Sequence, residues 1–382
     1  MKKILIIFGT RPEAIKLAPL ILQLQRLENI ELMVCATGQH RELVQDALQT
    51  FDIEPDLDLH LMQDNQQPIE FFSECLTTLN LLFDEYIPDI VIVQGDTTST
   101  LAGAMAAYYQ KIPVAHVEAG LRTNDRYSPF PEEANRVIVD HLSTVRFAPT
   151  SDAVNNLKKE NLDAFLTGNT VVDAVHMIRD KILEHEMIQT KYQVLVTVHR
   201  RENFGLPLGR IIQAIKSLVT IYPKLRFVWP VHPNPNVRRS VRSVFQNIPS
   251  VQVIEPVKYK DMIKLMMESR IIMTDSGGLQ EEAPSLRKPV LILREKTERP
   301  EIVGLNARLT GTCTKEIIED VRLLINNPEV YHKMASHLNP FGDGWASKRI
   351  IDELIRFLYS ADLRLAPSQS PENPHPAAGS PA

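Results

Sequence analysis

Residues 4–11 read Ile4-Leu5-Ile6-Ile7-Phe8-Gly9-Thr10-Arg11, and this stretch decides the fold. An apolar run of strand length ends at a glycine, and a polar turn then leads into Pro12 and Glu13, which suit the start of a helix. Five later stretches repeat the pattern: IVIVQGD (90–96), VAHVEAG (114–120), VLVTVHRRE (194–202), FVWPVHPN (227–234) and IIMTDSGG (271–278). Continuous apolar runs alternating with helical patterns are the mark of parallel sheets buried on both faces. In such sheets ligands bind outside the carboxyl ends of the strands. Arg11, Asp96, Glu118, His199, His232 and the turn Ser276-Gly277-Gly278 therefore belong on sheet crests. Three of these crests fall in the first half of the chain and three in the second. The class predicted is α/β, with two doubly wound domains facing each other across an active site. Carboxylates on one side, with histidines and glycines on the other, suit an anionic, phosphorylated substrate.

The pattern predicts helices over 13–27, 41–51, 69–86, 98–109 and 132–142, with strands between them. The domain boundary is expected near Thr167-Gly168-Asn169-Thr170, giving domains 1–168 and 169–344. Residues 345–360 read as one amphipathic helix that joins the first domain, with Ile350, Ile351, Leu354, Ile355 and Leu358 at helical spacing. Residues 361–382 are rich in Pro, Ser and Ala, too poor in apolar side chains to fold, and are expected to form a disordered tail.

The chain has 382 residues, enough for two domains with buried cores. A net charge of −5 argues against a general nucleic-acid binder, which carries a basic excess. No apolar run reaches the length of a membrane span. Lys2 and Lys3 resemble the start of a secretion signal, but Gly9-Thr10-Arg11-Pro12-Glu13 interrupts it too soon. Three scattered cysteines, Cys35, Cys75 and Cys313, without a CxxC pair, fit a reducing compartment and no structural zinc. The expected location is the cytoplasm.

Thr10, Pro12 and Glu13 are explained by helix capping. Arg11 is not, because a cation at a helix N-terminus opposes the dipole unless it faces an anion. Lys16 lies one turn later. In Asp275-Ser276-Gly277-Gly278-Leu279-Gln280-Glu281-Glu282 the bare glycines admit a phosphate to the backbone N–H groups. Glu281 and Glu282 are read as acids of that helix's first turn. Two acids there would repel a phosphate, so one must point elsewhere or take ribose hydroxyls. The structural alternative is a pair of helix-dipole acids. Asp96, Glu118 and Glu132 form an acid set of the kind used for proton transfer. Asp96 doubles as a candidate N-cap, and Glu132 or Glu133 as a helix-start acid. Glu118 has no evident structural purpose. His199, followed by Arg200 and Arg201, and His232 suit an anion or proton-transfer site.

Together these residues resemble the non-hydrolysing UDP-N-acetylglucosamine 2-epimerase family, from Lys3 to about Tyr359. The stretches that carry the resemblance include FGTRPEAIKLAP, GQHRELV, QGDTTST, HVEAGLRT, SPFPEEANR, GNTVVDA, VHRREN, NPNVR, DSGGLQEEAPSLRKPV and TERPE. No single one of them is specific; their number and order are. The resemblance implies a GT-B-type fold, two Rossmann-like domains around a deep cleft. It implies interconversion of UDP-GlcNAc and UDP-ManNAc by anti elimination of UDP to 2-acetamidoglucal and re-addition, with no NAD and no metal. Asp96, Glu118 and Glu132 then match acid/base carboxylates, and His199 a catalytic histidine. Arg11, Ser276, Gly277 and Gly278 match diphosphate contacts, and Glu282 a ribose contact. Arg136 and Arg299 match further substrate positions, and Lys16 a cleft lysine. Gln39, Glu42, His199, Arg200 and His232 match positions around a second UDP-GlcNAc that acts as activator. A homodimer is also implied.

Two departures stand out. The family's RDTTERPE and following turn are replaced by Arg294-Glu295-Lys296-Thr297-Glu298-Arg299 and a passage one residue shorter up to Ala307. Pro233 follows His232 where leucine is commoner. Both point toward a related sugar, such as a UDP-2,3-diacetamido-uronic acid. A hydrolysing 2-epimerase that releases ManNAc and UDP, a glycosyltransferase of the same fold and a silent nucleotide-sugar sensor are the other readings.

Overall fold

The structure, a computed structural model, describes residues 1–39, 41–63, 66–231 and 235–365, with the backbone alone at 41–43, 235–236 and 361–365. The first sheet holds β1 (Lys2–Phe8), β2 (Ile30–Ala36), β3 (Leu57–Asp58), β4 (Ile90–Gln94), β5 (Val114–Val117), β6 (Val145–Ala148) and β7 (Phe165–Leu166). Its spatial order is β3-β2-β1-β4-β5-β6-β7, and every pairing is parallel. The second holds β8 (Gln193–Thr197), β9 (Arg226–Pro230), β10 (Val251–Ile254), β11 (Ile271–Thr274), β12 (Val290–Ile292) and β13 (Ala307–Leu309). It runs β10-β9-β8-β11-β12-β13, again all parallel. Both sheets are doubly wound, and the order reverses between β1 and β4 in one and between β8 and β11 in the other. Those two reversals are where such sheets bind ligands.

Burial explains the unbroken apolar strands. Ile4 to Phe8 and Ile90 to Val93 have no solvent exposure at all. Each such side chain contributes about 2 kcal/mol of transfer free energy. The helix Arg11–Leu24 begins with the expected capping box: Thr10 N donates to Glu13 Oε2 at 2.8 Å, and Pro12 sits in the first turn. It starts two residues earlier and stops three earlier than the 13–27 predicted from periodicity.

Two segments of chain lead between the sheets. Asn169 N donates to Phe341 O at 2.6 Å, so the outgoing and returning segments touch. Gly168 and Gly342 lie there with φ of 88° and 140°, and a Cβ on Gly168 would come within 3.4 Å of the Gly342 Cα. Beyond the crossing, Asp173 accepts from Ala346 N at 3.2 Å and Ser347 N at 2.8 Å, fixing the start of the last helix. That helix buries Ile350, Leu354 and Leu358 in the core beside the helix Arg11–Leu24. It runs Ala346–Leu365, past the 345–360 expected. Ala361, Leu363, Arg364 and Leu365 are good helix formers, and the first proline after them is Pro367. Residues 366–382 lie outside the described residues. Among the described residues no helix is long and apolar enough to cross a membrane.

Candidate active site

The two reversal points face one another across a cavity of about 600 Å³. Arg11, Lys16, Asp96, Glu118, Glu132 and Arg136 line it from the first sheet. His199, Arg200, Ser276, Gly277, Gly278, Glu282 and Arg299 line it from the second. Gln39 is not in this lining; its Oε1 accepts from Ser99 Oγ at 2.8 Å. His232 and the Glu42 side chain lie outside the described residues.

On the first crest the structural alternatives fall away one by one. Thr97, not Asp96, caps the helix Thr98–Tyr109, accepting from Thr100 N at 3.1 Å. The Asp96 carboxylate is therefore turned to Arg136, with which it ion-pairs. Glu133, not Glu132, does the structural work at the start of the helix Glu132–Leu142. Its Oε1 accepts from Thr123 N at 2.9 Å and Asn124 N at 3.0 Å, and its Oε2 lies 3.3 Å from Arg136. Glu132 faces the cavity, and its Oε2 is buried without a hydrogen-bond partner. A buried acceptor left unpaired is costly unless something else fills its need. Glu118 sits at φ 70°, a left-handed conformation that a glutamate adopts only under constraint. Its Oε2 receives Lys16 Nζ at 2.5 Å and Gln94 Nε2 at 2.8 Å. Glu13 goes beyond capping: its Oε1 accepts from the Thr97 and Thr100 hydroxyls, both at 2.9 Å, and so ties the β1 turn to the β4 turn.

On the second crest the decisive residue is one that the sequence motifs do not single out. Asp275 is fully buried at the end of β11. It accepts from His199 N at 3.0 Å, Arg200 N at 2.9 Å and Asn203 Nδ2 at 2.9 Å. His199 Nδ1 lies 3.0 Å from its Oδ1. Burial pushes the Asp275 carboxyl up, but His199 and the other donors hold it below the ordinary carboxylate range. An ionised Asp275 fixes the proton on Nδ1 and with it the plane of the ring. The sequence does carry a signal for it: an acid ending an apolar strand immediately before Ser-Gly-Gly.

The helix Gly277–Glu282 corrects the placement of its two acids. Ser276 is the N-cap, so Glu281 and Glu282 close this short helix and neither lies in its first turn. The dipole argument for them falls with that placement. Glu281 ion-pairs with Arg299 and lies 3.3 Å from Lys16 Nζ. Asn169 Nδ2 reaches both Glu281 and Glu118 at 3.5 Å. The result is an alternating chain of charge, Glu118–Lys16–Glu281–Arg299, that crosses from one unit to the other. Arg299 and Lys16 hold Glu281 ionised against its burial. Glu282 behaves oppositely. Burial and the adjacent Glu281 push it up to about 7, against the pull of Arg11 and Lys16. A Cβ at Gly277 or Gly278 would meet nothing closer than 3.6 Å, so the protein itself does not require glycine there. The open space lies where a ligand would approach the turn. Among the described residues no group of three or more His, Cys, Asp or Glu is arranged to hold a metal ion.

Over residues 22–355 the sequence matches the family described as UDP-N-acetylglucosamine 2-epimerase. The chain belongs to this family. An epimerase of that name from Escherichia coli K12 is 45% identical over 368 residues, 92% of this chain and 98% of the relative. One from Campylobacter jejuni is 44% identical over 375 residues, covering 93% and 98%. Among solved structures, the UDP-GlcNAc 2-epimerase of Neisseria meningitidis bound to UDP-GlcNAc superposes with a TM-score of 0.86 at 46% identity, covering 93% of this chain and 100% of that one. The Methanocaldococcus jannaschii UDP-GlcNAc 2-epimerase in complex with UDP-GlcNAc and UDP gives a TM-score of 0.76 at 34% identity, covering 93% and 99%. The two parallel sheets flanking a cleft are the GT-B-like fold of these 2-epimerases.

Proposed function

We propose that the protein interconverts UDP-GlcNAc and UDP-ManNAc without hydrolysis. The observation that carries this reading is the set Asp96, Glu118 and Glu132 on one wall of the cavity, with the buried, unpartnered Glu132 oxygen among them. The C2 proton of a sugar is very weakly acidic. A carboxylate removes it as the electron pair forms the C1–C2 double bond and the C1–O bond to UDP breaks. The proton then returns to the other face, and UDP adds back to C1. Arg11, with the N–H groups at Ser276, Gly277 and Gly278, carries the diphosphate charge as it leaves. Asp96, Glu118, Glu132 and His199 handle protons, while Lys16, Arg136 and Arg299 position the sugar. Enclosure of the intermediate keeps water from C1.

On this reading residues 1–168 and 169–344 are the two domains, with the last helix returning to the first. Gln39, Glu42, His199, Arg200 and His232 would receive a second UDP-GlcNAc as activator. The enzyme would act as a cytoplasmic homodimer that supplies ManNAc-type precursors for surface polysaccharide. The second reading is a related UDP-sugar, such as a UDP-2,3-diacetamido-uronic acid; Arg294-Glu295-Lys296-Thr297-Glu298-Arg299, in place of the resembled family's RDTTERPE, is what favours it.

Proton NMR with UDP-GlcNAc in D2O tests the proposal. UDP-ManNAc with deuterium at C2 in both epimers is the expected result. Free ManNAc with UDP would instead mean a hydrolysing enzyme, and inert UDP-GlcNAc would favour the second reading.

Glu282 gives a further expectation. Ribose hydroxyls donate best to a carboxylate, and this one takes up its proton near pH 7. UDP affinity should weaken as pH falls through that value. Glu282→Gln should weaken binding about tenfold above it and flatten the pH dependence to the part that the terminal phosphate of UDP supplies. Calorimetry on both proteins measures it, and an unchanged slope in the variant would remove Glu282 from the ribose site.

A further inference from the structure

We infer that His116 is a positioning residue for Asp96: its Nε2–H fixes the carbonyl preceding the reactive carboxylate, and its Nδ1–H is anchored on Asp140. The inference rests on the acid/base role proposed for Asp96. His116 lies in β5 behind the cavity, and both its side chain and that of Asp140 are fully buried. Its Nδ1 is 2.7 Å from Asp140 Oδ1, and its Nε2 is 2.8 Å from Gly95 O. A peptide carbonyl only accepts. Asp140 only accepts as well: its Oδ2 already takes Gly120 N at 3.1 Å and lies 2.7 Å from Arg122 Nη1. Burial raises its carboxyl, but His116 and Arg122 bring it below the ordinary range. Both ring nitrogens face acceptors, so both carry protons. A neutral ring would set a lone pair against an oxygen where both side chains are fully buried.

Arg122 also pairs with Glu160 at 2.8 Å, and Arg146 Nε donates to the backbone carbonyl of Asp140 at 2.6 Å. Glu118 follows two residues along the chain. Charge thus alternates outward from Asp140 through Arg122 to Glu160.

The link to Asp96 is geometric. Gly95 turns at φ 74°, its N donates to Val117 O at 3.0 Å, and its carbonyl is taken by His116. The Gly95–Asp96 peptide is therefore locked in orientation. Asn135 Nδ2 donates to Asp96 O at 2.9 Å, and Arg136 takes the carboxylate. Glu132, Arg136 and Asp140 are four residues apart on one helix and share one face. That face carries a cavity acid, the partner of Asp96 and the anchor of His116 in register.

Two measurements test this. Nitrogen-15 spectra of histidine-labelled wild-type protein at neutral pH should show one ring with both nitrogens protonated, as its two acceptors require. His116→Gln should remove that signal and so identify it. In turnover, His116→Asn keeps a donor toward Asp140 and loses the one toward Gly95, while His116→Gln does the reverse. His116→Asn should lower kcat about a hundredfold with UDP affinity little changed. His116→Gln should retain most of the turnover. A neutral ring in the wild-type spectra, wild-type kcat in His116→Asn, or equal losses in both variants would overturn the inference. Full turnover in Asp96→Asn would overturn the role of Asp96 and the positioning role with it, while the ring measurement would stand.

Discussion

Asp96→Asn should lower turnover by about a thousandfold and leave UDP bound with near-normal affinity. The amide keeps the size of the side chain but cannot accept a proton from carbon, and loss of a positioned acid/base group costs roughly 100- to 10,000-fold. The fold should tolerate the change. Thr97 caps the neighbouring helix, and Arg136 retains Glu133 at 3.3 Å, so no cation is stranded. Steady-state rates on UDP-GlcNAc, set beside calorimetric titration with UDP, separate the two effects. Normal turnover would remove Asp96 from the chemistry. Lost UDP binding would make it a binding residue instead.

The second large effect is expected at Asp275, on stability and rate together. Asp275→Ala strips the partner from His199 N, Arg200 N, Asn203 Nδ2 and the His199 ring at one stroke. Removing a buried, multiply bonded carboxylate costs about 3–5 kcal/mol. The freed ring also loses its fixed plane, so kcat should fall even in the fraction that folds. Denaturant unfolding and kcat per folded molecule check the two parts. The pH behaviour follows from the direction of the shift. The folded-state carboxyl lies below its unfolded value, so its contribution is complete above the unfolded value. It is lost as pH falls through the folded value. The difference in stability between wild type and Asp275→Ala should therefore shrink in acid. A variant as stable as the wild type at neutral pH would show that the neighbouring donors have other partners.

The sheets are legible in the sequence because a continuous apolar run of strand length that ends in glycine or an acid fits little besides a buried parallel strand. β3 and β13 are not, since Leu57–Asp58 and Ala307–Leu309 are too short to show a period. Their pairing is dictated by neighbours rather than by their own residues. The crest residues are legible as a group, but choosing between adjacent acids is not. Glu132 and Glu133 differ only in which side of a helix they face, and so do Glu281 and Glu282. His116 is silent in sequence because its work is done through a partner 24 residues away, and Asp275 shows only as an acid before Ser-Gly-Gly, its role being set by a partner 76 residues away. The charge chain through Lys16 and Glu281 is hidden for the same reason: its members meet only when the two units do.

The touching segments at Gly168 and Gly342 also brace the floor of the cleft. Asn169 donates its backbone N–H to Phe341 O and reaches with its side chain toward Glu118 and Glu281. One residue thus spans the chain crossing and the charges beneath the cavity. The apolar core joins the two sheets as well, with Ile4 and Ile6 of β1 in one cluster with Leu195 of β8 and Ile272 of β11. Backbone, charge and core are tied together at the floor, so the Glu118 carboxylate is expected to keep its register when a nucleotide enters.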